Sequence, residues 1–257
     1  MTFDLAIAFM PAYILTLARV SAMIVAMMFL GTSGDSRWAR LVLALFLAGL
    51  LFLRAPQIIA IHNVSQLVVL TIREAILGLA IGFAFQTIFT ILRLAGALLG
   101  HEMGFTMAQV VDPNTGISSP VVGRFFETMA MLFLLAVNGH HAVFRLLAES
   151  FETIPVGRPW SIEGVYRGLL RLTGDGMQIG VSLASPIYAA LILLTVVLVV
   201  LARAVPQIHL MEFGYGIRIL LALFGMAVFL NYAAPHISRV FALLFGQVRD
   251  LIGLAGA

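Results

Sequence analysis

The chain has 257 residues, 61% of them hydrophobic and only 11% charged, with a mean hydropathy of +1.07. A soluble domain carries about 25% charged residues, so the composition excludes a soluble globular protein and indicates a polytopic membrane protein. The net charge of +3 is small and scattered, with no basic run to hold nucleic acid, and the absence of Cys removes disulfides and thiolate chemistry.

Apolar blocks of the length a bilayer needs, about 20 residues, run near 5–30, 41–61, 67–99, 125–147, 177–203 and 216–234. A shorter amphipathic piece follows over 237–254. The blocks are too long for barrel strands and lack barrel alternation, so the expected fold is all-α, a single polytopic helical domain. The N-terminus carries Asp4 in place of a basic n-region, and reads as a retained first helix. Breakers punctuate the blocks: Gly31 to Ser36, Arg54-Ala55-Pro56, Pro155 to Pro159, and Pro235. Ser161 is placed to cap a short, solvated amphipathic helix with Val165, Leu169 and Leu172 on one face. Gly78 and Gly82, then Gly96 and Gly100, recur at the four-residue spacing that permits close helix approach.

The segment from Gly100 to Arg124, GHEMGFTMAQVVDPNTGISSPVVGR, separates two long blocks. Connections this long without regular structure are usually functional or disordered. Met103, Phe105, Met107, Val110 and Val111 make it too apolar for a solvated loop, and Asp112-Pro113-Asn114-Thr115-Gly116 forces a turn. Two readings stay open on these residues: a plug or gate, or a re-entrant interfacial segment with no moving part. Irregular backbone survives at membrane depth only against protein or a water-filled cavity.

Charges fall inside or at the rims of the blocks at Arg19, Arg73, Glu74, Arg93, Glu127 and Arg145. Each costs about 2.5–3.5 kcal/mol at a bilayer centre, so partners are expected. Arg124 and Glu127, and Arg145 and Glu149, are spaced to share a helix face. Arg73 and Glu74 are adjacent and reach different neighbours. Arg19 and Arg93 have no local partner in the sequence and are expected to face protein, including other subunits.

Enzyme motifs are weak. Gly31-Thr32-Ser33-Gly34 has the pattern of an intramembrane serine protease, yet Asp35, Ser36 and Arg37 make it a plain turn. His140 and His141 are adjacent and diverge on a helix, and no zinc or nucleotide motif occurs. The expectation is a protein without catalytic site or cofactor. The competing reading is an ion-coupled transporter or flippase, with Arg93, Glu127 and Asp112 on the substrate path.

Several local signatures occur in order: Leu17-Ala18-Arg19-Val20-Ser21; Val111-Asp112-Pro113 with Ser119-Pro120; Asn138-Gly139-His140-His141; Ser150-Phe151 and Pro155; and Ala202 to Gln207. As a set spanning essentially the whole chain they resemble the FliR family, the export-gate subunit of the bacterial flagellar type III secretion apparatus. The injectisome SctT proteins are its close relatives. His209 stands where that pattern has Asn, and the Asn138 to His141 run favours the flagellar branch. The resemblance implies helical hairpins within a hetero-oligomeric export gate in the bacterial inner membrane, at the flagellar basal body, partly raised toward the periplasm. The implied partners are FliP-like and FliQ-like subunits, a FlhB-like switch subunit meeting the segment 237–254, unfolded export substrates, and membrane lipid. It also implies that Met103, Phe105, Met107, Val110, Val111, Asp112 and Pro113 line or block the export channel.

Overall fold

A computed structural model describes residues 2–27, 37–54, 63–103, 121–204 and 210–256. These form seven helices: α1 (Thr2–Ala26), α2 (Arg37–Arg54), α3 (Val64–Glu102), α4 (Val121–Ala136), α5 (Gly139–Thr153), α6 (Ile162–Ala204) and α7 (Leu210–Gly256). No strand occurs among the described residues. The protein is all-helical and polytopic. α1 from Phe9 onward, α3 and α6 are each long and apolar enough to cross a bilayer, and α4 with α5 adds a fourth crossing if the bent pair is one broken span.

Three expected blocks are redrawn. The block expected over 125–147 is broken: Asn138 sits at φ 55°, and α4 and α5 meet at a 76° bend. Asn tolerates that left-handed conformation better than almost any residue except Gly. Gly139 beside it has no room for a Cβ, which would meet the Leu134 side chain. The short surface helix expected after Ser161 is instead the start of the 43-residue α6, which continues through the block 177–203. Ser161 does cap it, accepting the Gly164 N–H on Oγ at 3.0 Å. The sixth block and the C-terminal piece merge into the 47-residue α7, so Pro235 does not end a helix. Proline survives inside such helices where neighbouring groups satisfy the freed carbonyl. At 1.5 Å per residue, α3, α6 and α7 run about 60–70 Å, roughly twice the 30 Å hydrocarbon core.

The chain resolves into two compact units. The first comprises residues 1–88, 140–173 and 244–257. Within it α1 lies against α2, with Phe9 and Tyr13 both edge-on to the Phe52 ring at 5.9 and 5.7 Å. Farther along, α1 meets α3 at Gly78 and Gly82: a Cβ on Gly78 would strike the Arg19 carbonyl, and one on Gly82 the Met23 carbonyl. The expected glycine spacing therefore marks a backbone-to-backbone contact. A second pair does the same for α6 and α7, where Gly164 abuts the Leu254 backbone and Gly168 the Leu251 residue. Leu244, Val248, Leu251, Ile252 and Ala255 are buried on that face of α7.

The second unit comprises residues 89–139 and 174–243. Gly176 and Gly180 of α6 pack on Ile91 of α3. Ala95, Leu99 and Met103 of α3, Ala184, Ile187 and Leu191 of α6, and Ala222 and Met226 of α7 form its buried apolar cluster.

Gly78→Ala should lower the melting temperature of the purified protein and its level in membranes, by an overpacking cost of about 1–3 kcal/mol. Gly174→Ala, where a Cβ meets nothing within 4 Å, should be neutral or stabilising by up to about 1 kcal/mol. Equal effects of the two would contradict the close α1–α3 approach.

Candidate functional site

Arg19 is fully buried in the first unit, at 0% exposure, and Glu74 opposite it is 2% exposed. The Arg19 Nε–H donates to Glu74 Oε2 at 2.6 Å. Arg19 Nη1 donates to the carbonyls of Ser150 at 3.1 Å and Ile154 at 3.0 Å. Its guanidinium carbon lies 4.4 Å from the centroid of the Phe151 ring. The second Glu74 oxygen, Oε1, accepts the Gly157 N–H at 2.8 Å. Four segments thus meet on one ion pair: α1, α3, the end of α5 and the turn after it.

Each part has a local cause. The Ser150 carbonyl accepts the Ile154 N–H at 3.0 Å and shares its second lone pair with Arg19, while the Ile154 carbonyl lies past the last turn of α5; a guanidinium beside a helix C-terminus also complements its dipole. The Ser150 hydroxyl donates to the Leu147 carbonyl at 2.7 Å, so it is satisfied without competing for Arg19. Pro155 follows the last helical residues and stops α5. Gly157 takes φ 78°, which only a residue without Cβ adopts freely, and this turns its N–H toward Glu74. The arrangement has the geometry of a structural staple: the cation is hidden, its partner shares two donors, and neither is exposed to reactant.

The charges expected to pair do so differently. Arg19, with no local partner in sequence, finds Glu74 within the chain rather than on another subunit. Arg73 is half-buried and projects about 100° round α3 from Glu74. Glu149 is held by Arg249, not by Arg145: Arg249 Nε and Nη2 grip its two oxygens at 2.9 and 2.7 Å. A bidentate fork outcompetes an i,i+4 contact, and Arg preceding Glu is the weaker order on a helix. That hydrogen bond, then the carboxylate's charge, raises the Arg249 pKa above its ordinary value. No ion pair joins exposed Arg124 to half-buried Glu127 among the described residues. Arg93 Nη2 lies 3.4 Å from Thr90 Oγ1 on its own helix. The sequence also gave no hint of the exposed Arg54–Glu152 pair at 3.1 Å.

Of the expected channel residues, Met103 is described. It is 1% exposed, its N–H donates to the Leu99 carbonyl at 3.0 Å, and it belongs to the apolar cluster of the second unit. Phe105, Met107, Val110, Val111, Asp112 and Pro113 lie outside the described residues. Beyond them, Phe126 of α4 packs on the same cluster as Met103. Both flanks of the central segment are therefore seated on one core.

A family model described as bacterial export proteins, family 1, matches residues 10–244. The chain belongs to this family. Relatives include the flagellar biosynthetic protein FliR of Bacillus subtilis, 29% identical over 249 residues and 96% of each chain. The FliR of Escherichia coli is 31% identical over 186 residues, 71% of this chain and 70% of its own. The surface presentation of antigens protein SpaR of Shigella sonnei is 28% identical over 171 residues, 66% of this chain and 65% of its own. In this bacterial export protein the sequence signatures gain positions. Arg19 of the first signature lies on Ser150, Phe151 and Ile154, the residue before Pro155, and Asn138-Gly139 is the α4–α5 bend. The segments were legible in sequence; their meeting was not, because 131 residues separate Arg19 from Ser150.

Glu74→Gln and Arg19→Met should each destabilise the protein by about 3–5 kcal/mol, since each strands a buried partner. The double variant should lose much less than the sum, as read by thermal melts in detergent. Additive losses would show that the pair acts as two independent packing groups.

Proposed function

We propose that this chain is the FliR-type subunit of a flagellar type III export gate, a non-catalytic part of the channel that passes unfolded flagellar proteins across the bacterial inner membrane. The observation that carries the reading is the family match over residues 10–244, supported by the FliR relative aligned over 96% of both chains. In this reading the chain assembles with FliP-like and FliQ-like subunits at the flagellar basal body, and other components supply the energy. A FlhB-like switch subunit would meet the outward side of the end of α7, where Arg249 and Asp250 are exposed, because the apolar side is occupied within the chain.

The central segment would close the channel passively. Met103 anchors its start to a buried core, and Phe126 anchors the helix that follows it. Between these supports, Phe105, Met107, Val110, Val111, Asp112 and Pro113 would form the plug. Flexible Met and bulky Phe can seal against ions and still repack around a passing chain, and an apolar constriction also gates by dewetting. Opening would be driven by partners.

Two outcomes are expected. Co-expression with FliP-like and FliQ-like neighbours, followed by native mass spectrometry, should give one copy of this chain in a large hetero-oligomer; a stable monomer or homodimer that ignores them would support a transporter. Deletion of 106–116 should raise ion leakage through the assembled complex, and unchanged leakage with normal assembly would remove the plug.

A further inference from the structure

A groove of about 500 Å³ runs between α2 and α5, wholly within the first unit. This lies in the range of small-molecule sites, about 300–1,000 Å³. Its walls are Leu47, Leu50 and Leu51 from α2 and Phe144, Leu147 and Ala148 from α5. Leu50 and Phe144 remain 54% and 42% exposed, so the groove opens outward along an apolar lip.

The rim is charged. Arg54, Arg145, Glu149 and Glu152 border the groove. Both carboxylates are already engaged, Glu152 by Arg54 and Glu149 by Arg249. The rim itself holds two guanidiniums and two carboxylates; because Arg249, outside the groove, takes Glu149 and Arg54 takes Glu152, Arg145 is left without an acidic partner among the described residues. Arg145, Glu149 and Glu152 follow one another at helical spacing on α5, while Leu146 and Ser150 on its other side are buried.

We propose that this groove binds an anionic phospholipid, with its phosphate on Arg145 and an acyl chain along the leucine walls. The layout fits an amphiphile: one uncompensated cation at the rim and an alkyl trough beside it. Arg is suited to phosphate because its fork donates two parallel hydrogen bonds. Basic pockets between helices of membrane proteins take anionic headgroups for the same reason. A peptide fits less well, since its backbone needs polar partners and the walls are hydrocarbon and one aromatic ring. The inference is independent of the export reading, because it rests on the groove and its charges alone.

The test uses the full-length protein, purified from membranes with the subunits that accompany it. Native mass spectrometry in mild detergent would measure retention of added phosphatidylglycerol and phosphatidylcholine. Phosphatidylglycerol should be retained about ten-fold better, because the ammonium of phosphatidylcholine, which carries the same phosphate, brings a like charge beside Arg145, and Arg145→Gln should abolish that preference. Arg145→Lys should keep part of it, and Arg171→Gln, an exposed site that does not border the groove, should keep all. Equal retention of both lipids, or no change in Arg145→Gln, overturns the proposal. A photo-cross-linker placed at Phe144 in an otherwise unaltered chain gives a second arm. Capture of phospholipid supports the site, and capture of a protein band alone contradicts it.

Discussion

A buried guanidinium cannot stand alone, and the first unit is organised around the one at Arg19. Removing an ion from water costs several kcal/mol even after relaxation, and the cost is recovered only where geometry and additional hydrogen bonds are right. Arg19 therefore constrains everything near it. Glu74 must sit where it does on α3, α5 must end where its last carbonyls reach Nη1, and the turn at Gly157 must present its N–H to the remaining carboxylate oxygen. The glycines at 78 and 82 bring α3 close enough to α1 for the pair to form. Such a pair adds little net stability over a hydrocarbon core, but it penalises every arrangement in which one partner is missing. It specifies how α1, α3 and α5 come together more than it strengthens their contact.

The second unit is built differently. Its core is apolar, and small residues on α6 and α7 let Ile91 and Ile187 approach their neighbours closely. Met103 and Phe126 both rest on this core. Both flanks of the central segment are thus borne by one apolar core, whatever passes between them.

Much of the fold could be read from the sequence. The apolar blocks locate the helices, the Ser161 cap locates the start of α6, and the Gly78–Gly82 spacing locates the α1–α3 contact. What could not be read was continuity and pairing. Hydropathy drops at the polar stretch 162–176 and at Pro235, yet the backbone stays helical through both, because helical hydrogen bonds form within the segment and do not depend on side-chain hydropathy. Conversely, the run 125–147 is apolar enough to read as one block and still breaks, because Asn138 and Gly139 act on backbone conformation and not on hydropathy. Charge pairing failed for a related reason. Spacing along a helix nominates Arg145 for Glu149, but the partner that wins is Arg249, a hundred residues away in sequence.

The most direct test of this organisation is the exchange rate of one amide. The Gly157 N–H, which donates to Glu74, should exchange slowly with deuterium in the membrane-reconstituted protein and quickly in Glu74→Gln, with the amides of mid-α5 unchanged. Rapid exchange at Gly157 in the unaltered protein would contradict the ion pair's role in fixing the turn.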